Sequence, residues 1–406
     1  MHPIDAHPML KPALRRAWRD RQTVQFGVTP ARAVVLSPVD TATGSFLELL
    51  DGTRGLPLLY EEARAVGLSP GQVDTLVGRL TEAGVVDDAT AGGPAARAAR
   101  GRTEASDRTG PDLASLCLVH PEPGAGARRL AARRSLRVQV RGAGRVGATI
   151  ASVLAASGVG RVEVLDGGTV RPWDVAPGGL PGRAIGERRG PAARQLVRGA
   201  APARPPRAGE ADEPTGLSLI VVAPRDGLDV YAPDPVTGAE WVAAGVPHLY
   251  AGVLETTGLV GPLVLPGGTG CAGCLALERA ERDPGWPRML AQWRSGRRRV
   301  AVPACDLSLA TAVAGLAAAH ALAFLDGDLP ASTGTRWEAS LPTLDWRPRR
   351  LAARLDCPCG AAGDSEREDT SGGARTQDTM APVSAVDDAL PRGARHGRLG
   401  IGGAHV

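Results

Sequence analysis

The chain has 406 residues, 43% hydrophobic and 22% charged, which excludes wholesale disorder and leaves room for two modest domains. A net charge of only +4, with no basic stripe interleaved with aromatics, speaks against nucleic acid as a partner. Aromatics are only 3%, Lys11 is the sole lysine among 47 basic residues and asparagine is absent, so N-glycosylation, Asn-dependent active sites and any catalytic lysine beyond Lys11 are excluded.

Residues 1–90 read as a small module. The stretch from Arg21 to Leu36 has hairpin character, with turn chemistry at Gly27 to Pro30. Phe46, Leu47, Leu49 and Leu50 fall at helical spacing before the Asp51-Gly52 stop. A second helix is expected over 56–66. A third starts at Ser69-Pro70, a good cap with proline in the first turn, and carries Val73, Leu76, Val77 and Leu80. Strands with three short helices predict a winged-helix-like fold. Residues 72–81 hold one Asp and one Arg, no basic recognition helix, so the module reads as a peptide-docking element.

Residues 91–112 are Ala, Gly, Arg and polar without apolar periodicity and read as a linker; residues 361–406 read as a disordered tail. Between them, 113–360 alternates strand and helix patterns, the signature of an α/β domain. No apolar run approaches the ~18 residues of a membrane span and no signal peptide opens the chain, so no membrane partner and a cytoplasmic location are expected. The six cysteines are then reduced, and paired ones read as metal ligands.

Residues 136–140 (LRVQV) form a strand that runs into Gly142-Ala-Gly144-Arg-Val-Gly147, followed by a helical stretch, Ala148 to Ala156. Strand, glycine turn and helix in this order let the backbone approach a phosphate and present helix N–H groups to it. A second strand, 161–165, ends in Asp166, whose carboxylate can accept hydrogen bonds from ribose hydroxyls. Gly142, Gly144, Gly147 and Asp166 are therefore the cofactor-binding candidates. A tight βαβ turn without a ligand is the alternative.

Cys271-Ala-Gly-Cys274 follows an apolar strand, and Cys357-Pro-Cys359 lies 83 residues after Cys274. Two close pairs far apart suit one tetrahedral metal held by four thiolates, a structural site without an open position. Cys305 precedes Asp306 and a long Ala-rich helix, and reads either as a buried core thiol or as a nucleophile at a helix start. His248, in a Pro-His pair, reads as structural or as a base. Cys117 reads as core.

The phrase Ala156-Ser-Gly158-Val159-Gly160-Arg161-Val162, with Leu165 to Val170, resembles the E1/ThiF/MoeB superfamily of adenylating enzymes over about 136–360. The resemblance implies a Rossmann-like α/β domain with a parallel-rich sheet, binding ATP and magnesium, with structural zinc. It also implies a peptide or small carrier-protein substrate activated at a carboxylate, and a homodimer. On its pattern Asp166 holds the ribose, Arg189 replaces the phosphate-binding lysine and Asp226 takes the place of the catalytic, magnesium-binding Asp, with Asp229 as the fallback. This sequence departs from the pattern: the second Asp falls on Gly168, the Asn on Asp174, and the Arg and Gln on Pro177 and Gly178. Losing that Arg weakens pyrophosphate neutralisation; Arg171 or Arg183 could fill in. The order of pieces, with Gly245 to Trp286, further resembles ThiF-type proteins related to leader-peptide-binding partners of azole-forming cyclodehydratases. There the N-terminal module grips a precursor peptide and a YcaO-type partner enzyme does the ATP chemistry. Adenylation and a non-catalytic leader-binding scaffold are thus the two expected functions; a nicotinamide-dependent dehydrogenase is a third that the cysteine pairs and the Gly-Val-Gly phrase oppose.

Overall fold

The computed structural model describes residues 5–101, 103–203, 216–295 and 302–363, all within one compact unit. The expected tail from 364 onward lies outside the described residues.

In the N-terminal module, β1 (Pro8–Leu10) pairs antiparallel with β5 (Val86–Asp88), so the first and last strands close the module on itself. Between them come β2 (Arg16–Asp20), β3 (Thr23–Phe26) and β4 (Val34–Leu36), an antiparallel sheet in that order. Helices α1 (Thr41–Leu49), α2 (Leu56–Ala65) and α3 (Pro70–Glu82) follow. The β3–β4 turn needs Gly27, whose φ is +81° and where a side chain would collide with the Arg32 carbonyl. Asp40 caps α1 through the Thr43 N–H, and Ser69 with Gln72 forms a capping box on α3. Phe46, Leu59, Val73, Val77 and Leu80 close the core against Val24 and Phe26. These are the strands and helices of a winged-helix-like module.

The stretch expected as a linker is helical instead. It contains α4 (Gly93–Ala99), α5 (Glu104–Arg108) and the start of α6 (Gly110–Val119), with α7 (Ala125–Ala132) beyond. Alanine, the strongest helix former, builds these helices without the large apolar side chains that make periodicity visible. They also fasten the module to the rest of the chain. Lys11 Nζ donates to the Pro121 carbonyl at 2.9 Å, and Arg32 Nη1 donates to that of Leu118 at 2.6 Å.

The larger sheet holds β6 (Arg137–Arg141), β7 (Arg161–Leu165), β8 (Leu219–Val222), β9 (His248–Leu254), β10 (Thr257–Val264), β11 (Thr335–Ser340) and β12 (Arg347–Arg350). Their order is β12-β11-β10-β9-β8-β6-β7, parallel from β7 to β9 and antiparallel from β9 to β12. Helices α8 (Arg145–Ala156) and α9 (Arg189–Ala200) cross between the first strands. The short α10 (Leu228–Tyr231), α11 (Pro235–Ala243), α12 (Ala272–Arg282) and α13 (Trp286–Arg294) come next, before α14 (Leu307–Leu325). Strand alternation separates two cores. Leu219, Val221, Leu249 and Ala251 join α8 and α14 in one; Ile220 and Tyr250 join Trp241 and the cysteines in the other.

α14 corrects one expectation. Its 19 residues carry no charge, so an apolar run of membrane-spanning length is present after all. Here Leu309, Val313, Ala314, Ala317 and Ala321 are buried in the core shared with the sheet and α8.

Candidate nucleotide pocket and cysteine cluster

From β6 the chain passes to β7 on one side and then crosses back to β8 on the other. The carboxyl ends of these strands therefore open a crevice at a topological switch point, the place where open α/β sheets bind ligands. A cavity of about 470 Å³ lies there, within the size range of ligand sites, lined among others by the strand-end residues Arg141, Leu165 and Val222.

The glycine loop forms one wall. Gly142 has φ +112°, donates its N–H to the Leu165 carbonyl at 2.9 Å, and has the Ala223 carbonyl where a Cβ would be. Gly147 lies so close to the Gly142 carbonyl that a side chain there would force the helix off the strand. Gly144 caps α8 with extended backbone, and its bare face meets only Arg225. Two glycines are thus demanded by the turn, and the third keeps the loop surface low.

Asp166 lies at the end of β7, its side chain 8% exposed. Its carboxylate accepts the N–H groups of Ala143 (2.9 Å) and Gly168 (2.8 Å) and faces Arg189 Nε at 3.0 Å. Burial alone would raise its pKa, but the Arg189 guanidinium and these two N–H groups outweigh it and hold the carboxyl below its usual range. Arg189 begins α9. Its Nη1 also reaches the Thr169 carbonyl (2.9 Å) and Asp174 (3.3 Å). A Cβ on Gly168 would collide with that guanidinium, so the missing family Asp is the gap into which Arg189 fits. Asp174, 2% exposed, further accepts from Arg225 Nε at 2.7 Å, and the Arg225 guanidinium stacks 5.5 Å from the Trp173 ring centre. Asp166, Arg189, Asp174 and Arg225 form one continuous ion lattice beside the glycine loop.

Four sulfurs gather on the face of the sheet that carries Trp241 and Tyr250. Cys271 and Cys274, at the start of α12, meet Cys357 and Cys359 with Sγ separations of 3.6 Å (271–357 and 274–359) and 4.0 Å (271–274). All four atoms lie within 4.8 Å of one another. A tetrahedron with metal–sulfur bonds of about 2.3 Å has edges of about 3.8 Å, whereas a disulfide would need about 2.05 Å. The donors fit a tetrahedral metal, and the second pair, CxC rather than CxxC, reaches it equally well. A Cβ on Gly273 would crowd Cys357 Sγ at 3.0 Å, which explains the glycine between the first pair.

Residues 123–360, more than half of the chain, match the ThiF family model. The chain belongs to the ThiF family. No curated protein matches the sequence. Among solved structures, Escherichia coli MccB with AMPCPP and MccA is similar at 14% identity and TM-score 0.62, over 87% of this chain and 99% of that one. MccB with ATP gives 15% and 0.60 over the same shares. The heterocyclase TruD gives 17% and 0.56 over 89% of this chain and 44% of TruD. At such identities the likeness is one of fold, here the Rossmann-like fold of the ThiF family.

The remaining expected residues fall unevenly around this ThiF-type pocket. Gly142, Asp166 and Arg189 line it. Asp226 does not: it is exposed, and its carboxylate accepts the Leu228 N–H at 3.0 Å at the start of α10. Asp229, the fallback, does line the pocket, and burial pushes its carboxyl up, with Asp226 and Asp234 adding to the shift and Arg294 opposing it. Arg171 and Arg183 are exposed and outside the lining. Arg225 also lines the pocket, a cation that the sequence reading missed; the signal was its place three residues past β8, one residue before the expected acid. His248 is fully buried, hydrogen-bonded to the Val246 carbonyl and flanked edge-on by Trp241 and Tyr250, so it is structural. Cys305 packs, partly buried, against the main core, and burial raises its pKa, the opposite of what activates a thiol. Asp306 caps α14 through Ser308 and Leu309.

Proposed function

We propose that the chain is a peptide-docking scaffold built on a ThiF-family nucleotide-binding domain. The module at 1–90 holds a precursor peptide. The domain at 113–360 retains an ATP-type pocket, with Gly142, Gly144, Gly147 and Asp166 as its nucleotide contacts and a zinc ion on Cys271, Cys274, Cys357 and Cys359. The heterocyclising chemistry belongs to a YcaO-type partner in the cytoplasm, and a homodimer through the α/β domain is the expected assembly.

One observation carries the reading. At the β8 turn, where the family pattern expects a catalytic acid, Arg225 lines the pocket and the exposed Asp226 does not. Solved relatives in fold support the peptide part: MccB is found with MccA, and TruD is a heterocyclase. The small sheet offers β4 as an edge strand, with Val35 47% exposed, a surface to which an extended peptide can add a strand.

Adenylation is the second reading, favoured by the intact glycine loop and by Asp229 in the pocket wall. In it a substrate carboxylate attacks the α-phosphate, pyrophosphate leaves, and Arg189 neutralises the departing charge. ATP–pyrophosphate exchange with candidate precursor peptides separates the two. The expected result is no exchange above blank, with peptide binding by the full chain that weakens about tenfold in Val35→Asp. Peptide-dependent exchange would reinstate adenylation.

A further inference from the structure

Nucleotides ordinarily reach a fold of this kind with magnesium, which takes one or two carboxylates together with phosphate oxygens. Of the acids lining this pocket, only one is left free to take that ion. Asp166 spends its carboxylate on two N–H groups and Arg189. Asp234 caps α11, accepting the N–H groups of Val236 and Thr237 and the Thr237 hydroxyl. Asp174 is buried behind the lining and held by two guanidinium groups. Asp229 alone is uncommitted, with Arg294 Nε 4.0 Å away.

The donors point the other way. The side chain of Arg225 lies on the glycine loop, its Cβ and Cγ 3.5 Å from where a Gly144 side chain would begin. Asp174 fixes its Nε, Trp173 carries its plane, and its Nη2 is buried without a hydrogen-bond partner. The Tyr250 hydroxyl, on a residue 1% exposed in the same lining, also lacks a partner. Arg141 adds a further cation, stacked 4.9 Å from the Trp241 ring centre. Two carboxylates and two guanidiniums leave the lattice itself neutral. The attraction for a phosphate therefore comes from Arg141, from the free Arg225 donor and from the N-terminus of α8.

We propose that this pocket holds its nucleotide without a divalent cation, the charge of Arg225, whose stem lies beside the glycine loop, serving in its stead. The inference rests on reading the crevice as a nucleotide site. A planar, permanently charged fork can bind phosphate oxygens bidentately, and it brings no exchangeable ion for catalysis.

Binding of ATP and AMP to the full-length, zinc-loaded chain by titration calorimetry tests this, in buffer passed over chelating resin and again with magnesium added. The expected affinities agree within about twofold in the two buffers, and Arg225→Gln weakens binding about tenfold in both, with Arg225→Lys in between. Thermal melts of each variant show that the fold persists. Binding that tightens about tenfold or more with magnesium overturns the inference while leaving the nucleotide site intact. Metal-independent binding that Arg225→Gln leaves unchanged overturns the role of Arg225. No binding in either buffer removes the nucleotide site itself, and the inference with it.

Discussion

Single residues decide the character of the pocket through whom they touch. Gly168 looks like the loss of an acid, yet it is the space that seats the Arg189 guanidinium. His248 shows the same logic in the core. Burial drives its pKa down to about 4 from an ordinary value of 6.5, with the Val246 carbonyl opposing only in part. A base with a depressed folded pKa gives stability that is complete above pH 6.5 and fades as the pH falls towards 4. Over that window the loss amounts to about 3 kcal/mol. Melting curves of the wild type and of His248→Phe between pH 7 and 4 check this: the difference between them should narrow steadily on the acid side. A gap independent of pH would mean that the imidazole is solvated.

At the scale of elements, legibility followed covalent spacing. The glycine loop and the two cysteine pairs carry their geometry within a few residues, so strand, turn, helix and cysteine cluster could be read directly. Arg225 and Asp174 meet across 51 positions of sequence and left no local mark. Asp226 and Arg225 are neighbours in one turn, and only the fold decides which of them faces inward. The helices of 93–119 escaped notice because alanine builds helix without apolar contrast, and β1 and β5 because three residues are too short for alternation to register. The cysteine cluster makes a sharper statement about elements. It joins the start of α12 to the segment after β12, alongside the Arg349–Glu278 and Arg354–Glu281 ion pairs. If the four thiolates hold zinc, stripping it with a chelator lowers the melting temperature by about 10 °C. Hydrogen exchange should quicken at 270–275 and 351–360 and stay unchanged in β1 to β5. Identical melts with and without chelator would show that the four thiols act alone.

On the scale of the whole molecule, the N-terminal module is not on a tether. Asp87 of β5 accepts the Gly124 N–H at 2.6 Å, and Arg133 pairs with Asp326 at 2.6 Å, both side chains about 5% exposed or less. Through these contacts the module, the helical collar and the end of α14 are held in register. A peptide gripped at β4 would be offered in a fixed direction. Lys11 is part of that seam, 3% exposed, its ammonium given to a carbonyl and its pKa lowered chiefly by burial.

Because no other lysine exists, the native surface offers no primary amine on any side chain. Activated esters or stray acyl groups generated nearby would find no accessible lysine amine to acylate. Mass spectrometry after exposure to an N-hydroxysuccinimide ester should show Lys11 untouched until denaturant frees it. Modification under native conditions would reveal that the seam opens.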